Sequence, residues 1–162
     1  MSDMHWQAFL VDTLAAALAD NGIDGFFLDN FDVYYQYPND KIYQGLCNIL
    51  LRLDGAHHLP LLINGGDMFV SRVLQNSDAA QYISGVNQEN VFTHYDFDQD
   101  TYLAQSTEET AYYQEYLQTC AQHGIRVYLL EYAQDDALIS RIAAYCGDNG
   151  FAFYVSGSIE LD

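Results

Sequence analysis

Residues 25–35, Gly25-Phe26-Phe27-Leu28-Asp29-Asn30-Phe31-Asp32-Val33-Tyr34-Tyr35, constrain the fold of this chain more than any other stretch. An uncharged apolar run stops abruptly at Asp29-Asn30-Phe31-Asp32, and aromatic residues follow. Parallel strands covered on both faces are apolar along their whole length, so polarity returns only where the strand meets solvent. In a (β/α) barrel that C-terminal end is where catalytic groups sit, because the strand holds them rigidly. A strand end whose aspartate merely caps the next turn or helix gives the same local pattern. Recurrence along the chain is what separates the two.

The pattern does recur. Strands are expected at 23–28, 59–64, 82–86, 126–130 and 150–155. Four of the five end in a polar or acidic cluster: Asp29/Asn30/Asp32, Asn64/Asp67, Asn87/Gln88/Glu89 and Glu131. The strand starts carry nothing comparable. Helical spacing of apolar residues appears between them. Phe9, Leu10, Leu14 and Leu18 mark a first helix that Asn21-Gly22 stops, and Ile42, Leu46, Ile49, Leu50 and Leu53 mark a second. A short helix is expected at 68–74. Ser106-Thr107-Glu108-Glu109 is a capping-box signature opening another, and Asp135 precedes a last one at 136–146. Strands alternating with helices imply parallel βα units, about five of them. One-sided polarity marks an active face. An open doubly wound sheet would show the same alternation, and the glycine-rich phosphate loop common there is absent, Gly65-Gly66 alone being too weak a signal.

At 162 residues the whole chain, 1–162, is expected to be a single domain. Half of it is hydrophobic and 15% aromatic, enough for a sizeable core. Five basic residues against 23 acidic ones give a formal charge of −18. Such a field repels nucleic acid and anionic membranes and attracts cations, although an acidic surface also serves solubility alone. No apolar run reaches the roughly 20 residues of a membrane helix. The N-terminus lacks the basic-then-apolar order of a secretory signal, and the location is left open. Cys47, Cys120 and Cys146 lie far apart in helix-like stretches without zinc spacing. His57-His58 precedes a strand and fits a loop, so neither a metal nor a cofactor is expected.

The run Gly22-Ile23-Asp24-Gly25-Phe26-Phe27-Leu28-Asp29-Asn30-Phe31-Asp32-Val33-Tyr34 resembles the "GFDGVFLDNxDxY" block of the endo-α-1,4-polygalactosaminidase-like glycoside hydrolases, glycoside hydrolase family 114. Later landmarks follow in that family's order. They are Leu62-Ile63-Asn64-Gly65-Gly66, residues 85–92, Val127-Tyr128-Leu129-Leu130-Glu131-Tyr132-Ala133 and Gly150-Phe151-Ala152-Phe153-Tyr154-Val155-Ser156. The resemblance spans about residues 5–156. It implies an α/β fold, a partial (β/α)8 TIM barrel, with the first block as its fourth strand. A complete barrel takes about 250 residues, so this chain is expected to hold the C-terminal five-eighths only. The resemblance also implies that the family's acids fall on Asp29 and Glu89. An aspartate in a "DYA" motif is replaced here by Glu131.

Glycoside hydrolysis needs two carboxyl groups flanking the scissile bond, one protonated and one ionised. Asp29 is favoured as nucleophile or base. Glu89 is favoured as the acid, since a glutamate on a loop reaches a leaving-group oxygen more easily. Asp32 is a hydrogen-bonding orienter or a turn former, Asn64 a contact to sugar hydroxyls or to a catalytic acid, and Glu131 a further substrate-binding position. Tyr34, Tyr35 and Tyr95 are candidate stacking platforms, although packing accounts for most of 14 tyrosines. The implied substrate is a galactosamine-containing polysaccharide, cationic through its free amines, which an acidic cleft would concentrate. The rival expectation is a non-catalytic carbohydrate-binding or interaction remnant of a truncated barrel, associating with itself or with an upstream barrel segment.

Overall fold

A computed structural model describes residues 1–76, 78–96, 98 and 101–158. The chain divides into two compact units, Met1–Val86 and Asn87–Asp162. The first opens with a helix in three parts: α1 over Met4–Ala8, a π-helical stretch over Phe9–Ala15, and α2 over Ala16–Asp20. Asp3 caps it by accepting from the Trp6 N–H at 2.8 Å, and Gly22, at φ +78°, ends it. The buried stripe is Gln7, Val11 and Ala15. Its four-residue spacing suits a helix widened to i→i+5 bonding. The helical spacing of Phe9, Leu10, Thr13, Leu14, Ala17 and Leu18 locates the helix but not its covered face, because Phe9, Leu14 and Leu18 are exposed. Gln7 anchors the other face: its Nε2 donates to the Met1 carbonyl at 2.8 Å and lies 3.4 Å from that of Gly45. A Cβ at position 45 would stand 2.9 Å from the Met1 oxygen, so only glycine admits this approach.

Strand β1, Phe26–Leu28, runs parallel to β2, Leu61–Asn64, with Phe26 opposite Leu61 and Leu28 opposite Ile63. Between them lie the one-turn helix α3, Val33–Gln36, and α4, Asp40–His57. Asn39 caps α4 by accepting from the Ile42 N–H at 3.1 Å. Its buried face, Tyr43, Leu46, Ile49, Leu50 and Leu53, follows the helical period seen in the sequence. Helix α5, Asp67–Asn76, buries Phe69, Val70 and Val73. A 3-10 turn over Asp78–Tyr82 then occupies the start of the expected strand. Ala79 and Ile83 are both buried at helical spacing, which draws Tyr82 into the turn. Strand β3 therefore starts later, running Gly85–Glu89. The Ser84 N–H donates to the Leu61 carbonyl at 2.9 Å, tying the start of β3 to β2.

In the second unit Asn87 and Gln88 are buried in spite of their polarity. Asn90, at φ +60°, leads the chain out of β3 while its N–H donates to the Leu130 carbonyl at 3.1 Å. An antiparallel hairpin follows, β4 over Thr93–Asp96 and β5 over Thr101–Ala104, with Tyr95 opposite Tyr102. No apolar run had pointed to it. Ser106 caps α6, Thr107–Gln122, by accepting from the Glu109 N–H at 3.1 Å, as the capping signature requires. Strand β6, Arg126–Tyr132, pairs in parallel with β7, Ala152–Ser156. Between them α7, Asp136–Asn149, is capped by Asp135 and closed by Gly150 at φ +69°. The five long-range strands form a parallel sheet in the order β1-β2-β3-β6-β7, and the hairpin β4-β5 stands apart. Strand order thus follows chain order, as short right-handed βα crossovers dictate.

Among the described residues no helix is long and apolar enough to cross a membrane. Cys120 and Cys146 are buried free thiols and Cys47 is half-buried. Burial pushes Cys120 up to about 12 and Cys146 to about 11. Both behave as small apolar side chains rather than nucleophiles.

Candidate active site

In the first unit the parallel register delivers two polar residues to one rim. Asn64 ends β2, Asp29 follows the end of β1, and the Asn64 Nδ2 donates to Asp29 Oδ1 at 3.1 Å. Asp29 is exposed and, with Asn30, lines an open recess of about 310 Å³ whose walls are mostly apolar, Leu10, Leu14, Leu18, Phe27 and Leu28 among them. Asp32 belongs to a second arrangement. Its Oδ1 accepts from the Gly66 N–H at 2.9 Å, and its side chain makes no cap to α3. Gly65 and Gly66 take left-handed φ of +61° and +68°. A Cβ would lie 2.8 Å from Asp32 Oδ2 at Gly65, and 2.6 Å from Phe31 Cβ at Gly66. The turn after β2 is thereby clasped to the turn after β1.

Tyr34 requires a correction. It was expected as a stacking platform but is only 6% exposed. Its ring packs 6.0 Å from that of Tyr43 and 6.3 Å from Phe69, and its hydroxyl accepts from Arg72 Nη1 at 2.7 Å. The single turn of α3 sends Tyr34 into the core, and Tyr35 outward to solvent. His57 likewise packs, its ring 5.4 Å from Phe26, and His58 ends α4 at φ +52°. Among the described residues no three His, Cys, Asp or Glu side chains gather as a metal site would need.

In the second unit Glu89 ends β3 and is half-buried, and its Oε2 accepts from the Tyr132 hydroxyl at 3.1 Å. Burial first, and then the charge of Glu89, push that hydroxyl up to about 12, so it stays protonated near neutrality. Tyr102 stacks on Tyr132 with centroids 6.3 Å apart and planes within 13°. Tyr95 leans on Tyr102 at 5.1 Å. The expected platform at Tyr95 is therefore the half-buried outer member of an aromatic row that reaches Glu89. His94 beside it is exposed, and Asp96 Oδ1 accepts from the Asp98 N–H at 2.9 Å within the turn.

Glu131 also requires correction. Expected to bind substrate, it has 0% exposure. Its Oε1 accepts from the N–H groups of Val91 at 2.9 Å and Phe92 at 3.1 Å, and its Oε2 lies 2.6 Å from Thr93 Oγ1. Successive strand residues face opposite ways, so Glu131 turns to the 91–93 backbone and Tyr132 to the Glu89 side. Charge singled out Glu131 in the sequence, but alternation makes its neighbour Tyr132 the residue that reaches Glu89. Tyr132, Tyr102, Thr93 and the Gly65-Gly66 clasp were missed as site-building residues. Only the double glycine left a visible signal.

No protein-family model and no curated protein matches the chain. Among solved structures it is similar to the glycoside hydrolase domain of PelA from Pseudomonas aeruginosa. The TM-score is 0.76 at 20% sequence identity, over 95% of this chain and 60% of that one. A variant of the same domain, with one glutamate replaced by alanine, gives 0.75 at 19% identity over the same shares. The likeness establishes the fold, and the chain spans about three fifths of the length of these neighbours. The expectation of an α/β partial (β/α)8 barrel of about five parallel βα units is met.

Proposed function

We propose that this chain carries the carboxylate pair of a glycoside hydrolase, with Asp29 as nucleophile or base and Glu89 as acid. One observation supports the pairing above others. Each carboxyl group stands at the end of a parallel strand and accepts a hydrogen bond from a neutral side chain, Asn64 on Asp29 and Tyr132 on Glu89. Neutral donors orient a carboxylate without the ion pair that would neutralise it. The fold shared with the PelA glycoside hydrolase domain supports the reaction class.

The substrate class follows from charge and from the sequence block at residues 22–34, which is similar to that of endo-α-1,4-polygalactosaminidases. A net charge of −18 favours a cationic polymer, and α-1,4-linked galactosamine with free amines is one. Endo cleavage of such a polymer would release short oligosaccharides, which mass spectrometry of a digest detects. Asp29→Asn and Glu89→Gln should each abolish release, by at least about a thousandfold for loss of an essential group, while thermal unfolding stays near that of the parent. Activity retained in either variant overturns the pairing.

The coverage of about three fifths of the neighbour's length favours a second reading, a carbohydrate-binding module without turnover. Calorimetry separates the two. Binding of the polymer with no product in the digest selects the module.

A further inference from the structure

The contact between Tyr132 and Glu89 is built from several directions. Tyr132 ends β6 and is buried. Its ring stacks on Tyr102, held in place by the hairpin partner Tyr95. Its backbone N–H donates to Thr93 Oγ1 at 3.3 Å, and the same Oγ1 lies 2.6 Å from the buried Glu131. The hydroxyl therefore has little freedom to leave Glu89 Oε2, 3.1 Å away. A tyrosine whose only role was to fill space would not need its hydroxyl aimed at a carboxylate.

We infer that Tyr132 is a positioning residue for Glu89: its hydroxyl donates to Oε2 and fixes the carboxyl rotamer. The inference rests on the reading of Glu89 as catalytic acid for its kinetic consequence, but not for the physical coupling itself. Among the described residues, the titratable groups that act on the Tyr132 hydroxyl include Glu89 and, behind the ring, Tyr102. The Glu131 carboxyl faces the backbone of 91–93 on the other side of the strand.

Two measurements on the full chain test this. The first is NMR of tyrosine labelled with carbon-13 at Cζ. The Tyr132 signal should move as carboxylates titrate in acid, and the movement should vanish in Glu89→Gln. A signal indifferent to that substitution overturns the inference, whether or not the chain is an enzyme. The second is hydrolysis by Tyr132→Phe, which keeps the ring and its stacking. Loss of one hydrogen bond to a charged group should lower kcat about ten- to a hundredfold, with KM little changed. An unaltered kcat in a folded variant also overturns it. If the parent chain hydrolyses nothing while the NMR coupling is present, the catalytic reading fails and the positioning of Glu89 by Tyr132 stands.

Discussion

Glu131 is buried among donors from residues 91–93, the N–H groups of Val91 and Phe92 and the hydroxyl of Thr93, none of them basic. Burial raises its carboxyl from an ordinary 4.5 to about 7, and the bonds from Thr93, Phe92 and Val91 offset only part of that. The folded state therefore holds this proton up to about pH 7, whereas the unfolded chain releases it near 4.5. Between those values the folded state binds more protons, so stability is full below the lower value and declines as pH rises through the upper one. The expected loss is on the order of 3 kcal/mol. Glu131→Gln keeps an acceptor for the backbone donors and cannot ionise, so its urea midpoint should stay level from pH 5 to about 8 while the parent's falls. A parent midpoint that tracks the variant across that range would refute the assignment. Glu131→Ala should be worse at every pH, because two backbone N–H groups lose their acceptor at about 1–3 kcal/mol each. At this scale the sequence showed where carboxylates fall, at the ends of apolar runs. It did not show which way each one faces, because a strand alternates and charge alone does not reveal the covered side.

The elements were more legible than the residues. Helix α4 could be read from its apolar period, α6 from Ser106 and Glu109, and the parallel strands from runs such as Phe26–Leu28 and Leu61–Asn64. Four features escaped, among them the one-turn helix α3 and the 3-10 turn over Asp78–Tyr82; the other two have clear reasons. The hairpin β4-β5 is only four residues on each side and half-exposed, so it carries no continuous apolar run. The π-helical widening at Phe9–Ala15 changes which residues are covered without altering the count of apolar ones. The clasp of the two strand-end turns is an element-scale feature with a sharp mutational consequence. Left-handed backbone at a non-glycine residue costs about 1–3 kcal/mol, so Gly65→Ala and Gly66→Ala should both destabilise. Gly66→Ala should be the more severe, because its new methyl would meet Phe31 Cβ, which is fixed to the main chain. At Gly65 the obstacle is the end of the Asp32 carboxylate, which can rotate away. Thermal unfolding of the two variants should rank them in that order, and equal melting temperatures would mean that the clasp is looser than its geometry.

For the molecule as a whole the question is what its uncovered apolar surface does in water. Strand β1 stands first in the sheet order, so among the described residues its outer edge has no strand beside it. Phe27 on that strand is 58% exposed and Leu18 on the nearby helix is 50% exposed, and both line the recess that ends at Asp29. Exposed strand edges and contiguous apolar faces promote association. A charge of −18 opposes it at long range, but at physiological ionic strength screening confines that repulsion to about 8 Å. Contact terms act at shorter distances still, so they decide the outcome once molecules meet. The 162-residue chain is therefore expected to self-associate in sedimentation velocity, more strongly as protein concentration and salt rise. Leu18→Ser combined with Phe27→Ser should weaken the association without unfolding the chain, because neither side chain belongs to the buried core. If Asp29 acts as proposed, the same surface bears on activity, since Asp29 lines the recess and an occupant there would compete with a polysaccharide. Hydrolysis per chain should then fall as association rises, and recover in the double variant. A parent that stays monodisperse at high concentration and high salt would show that the repulsion, or a cover not seen on this face, outweighs the apolar contact.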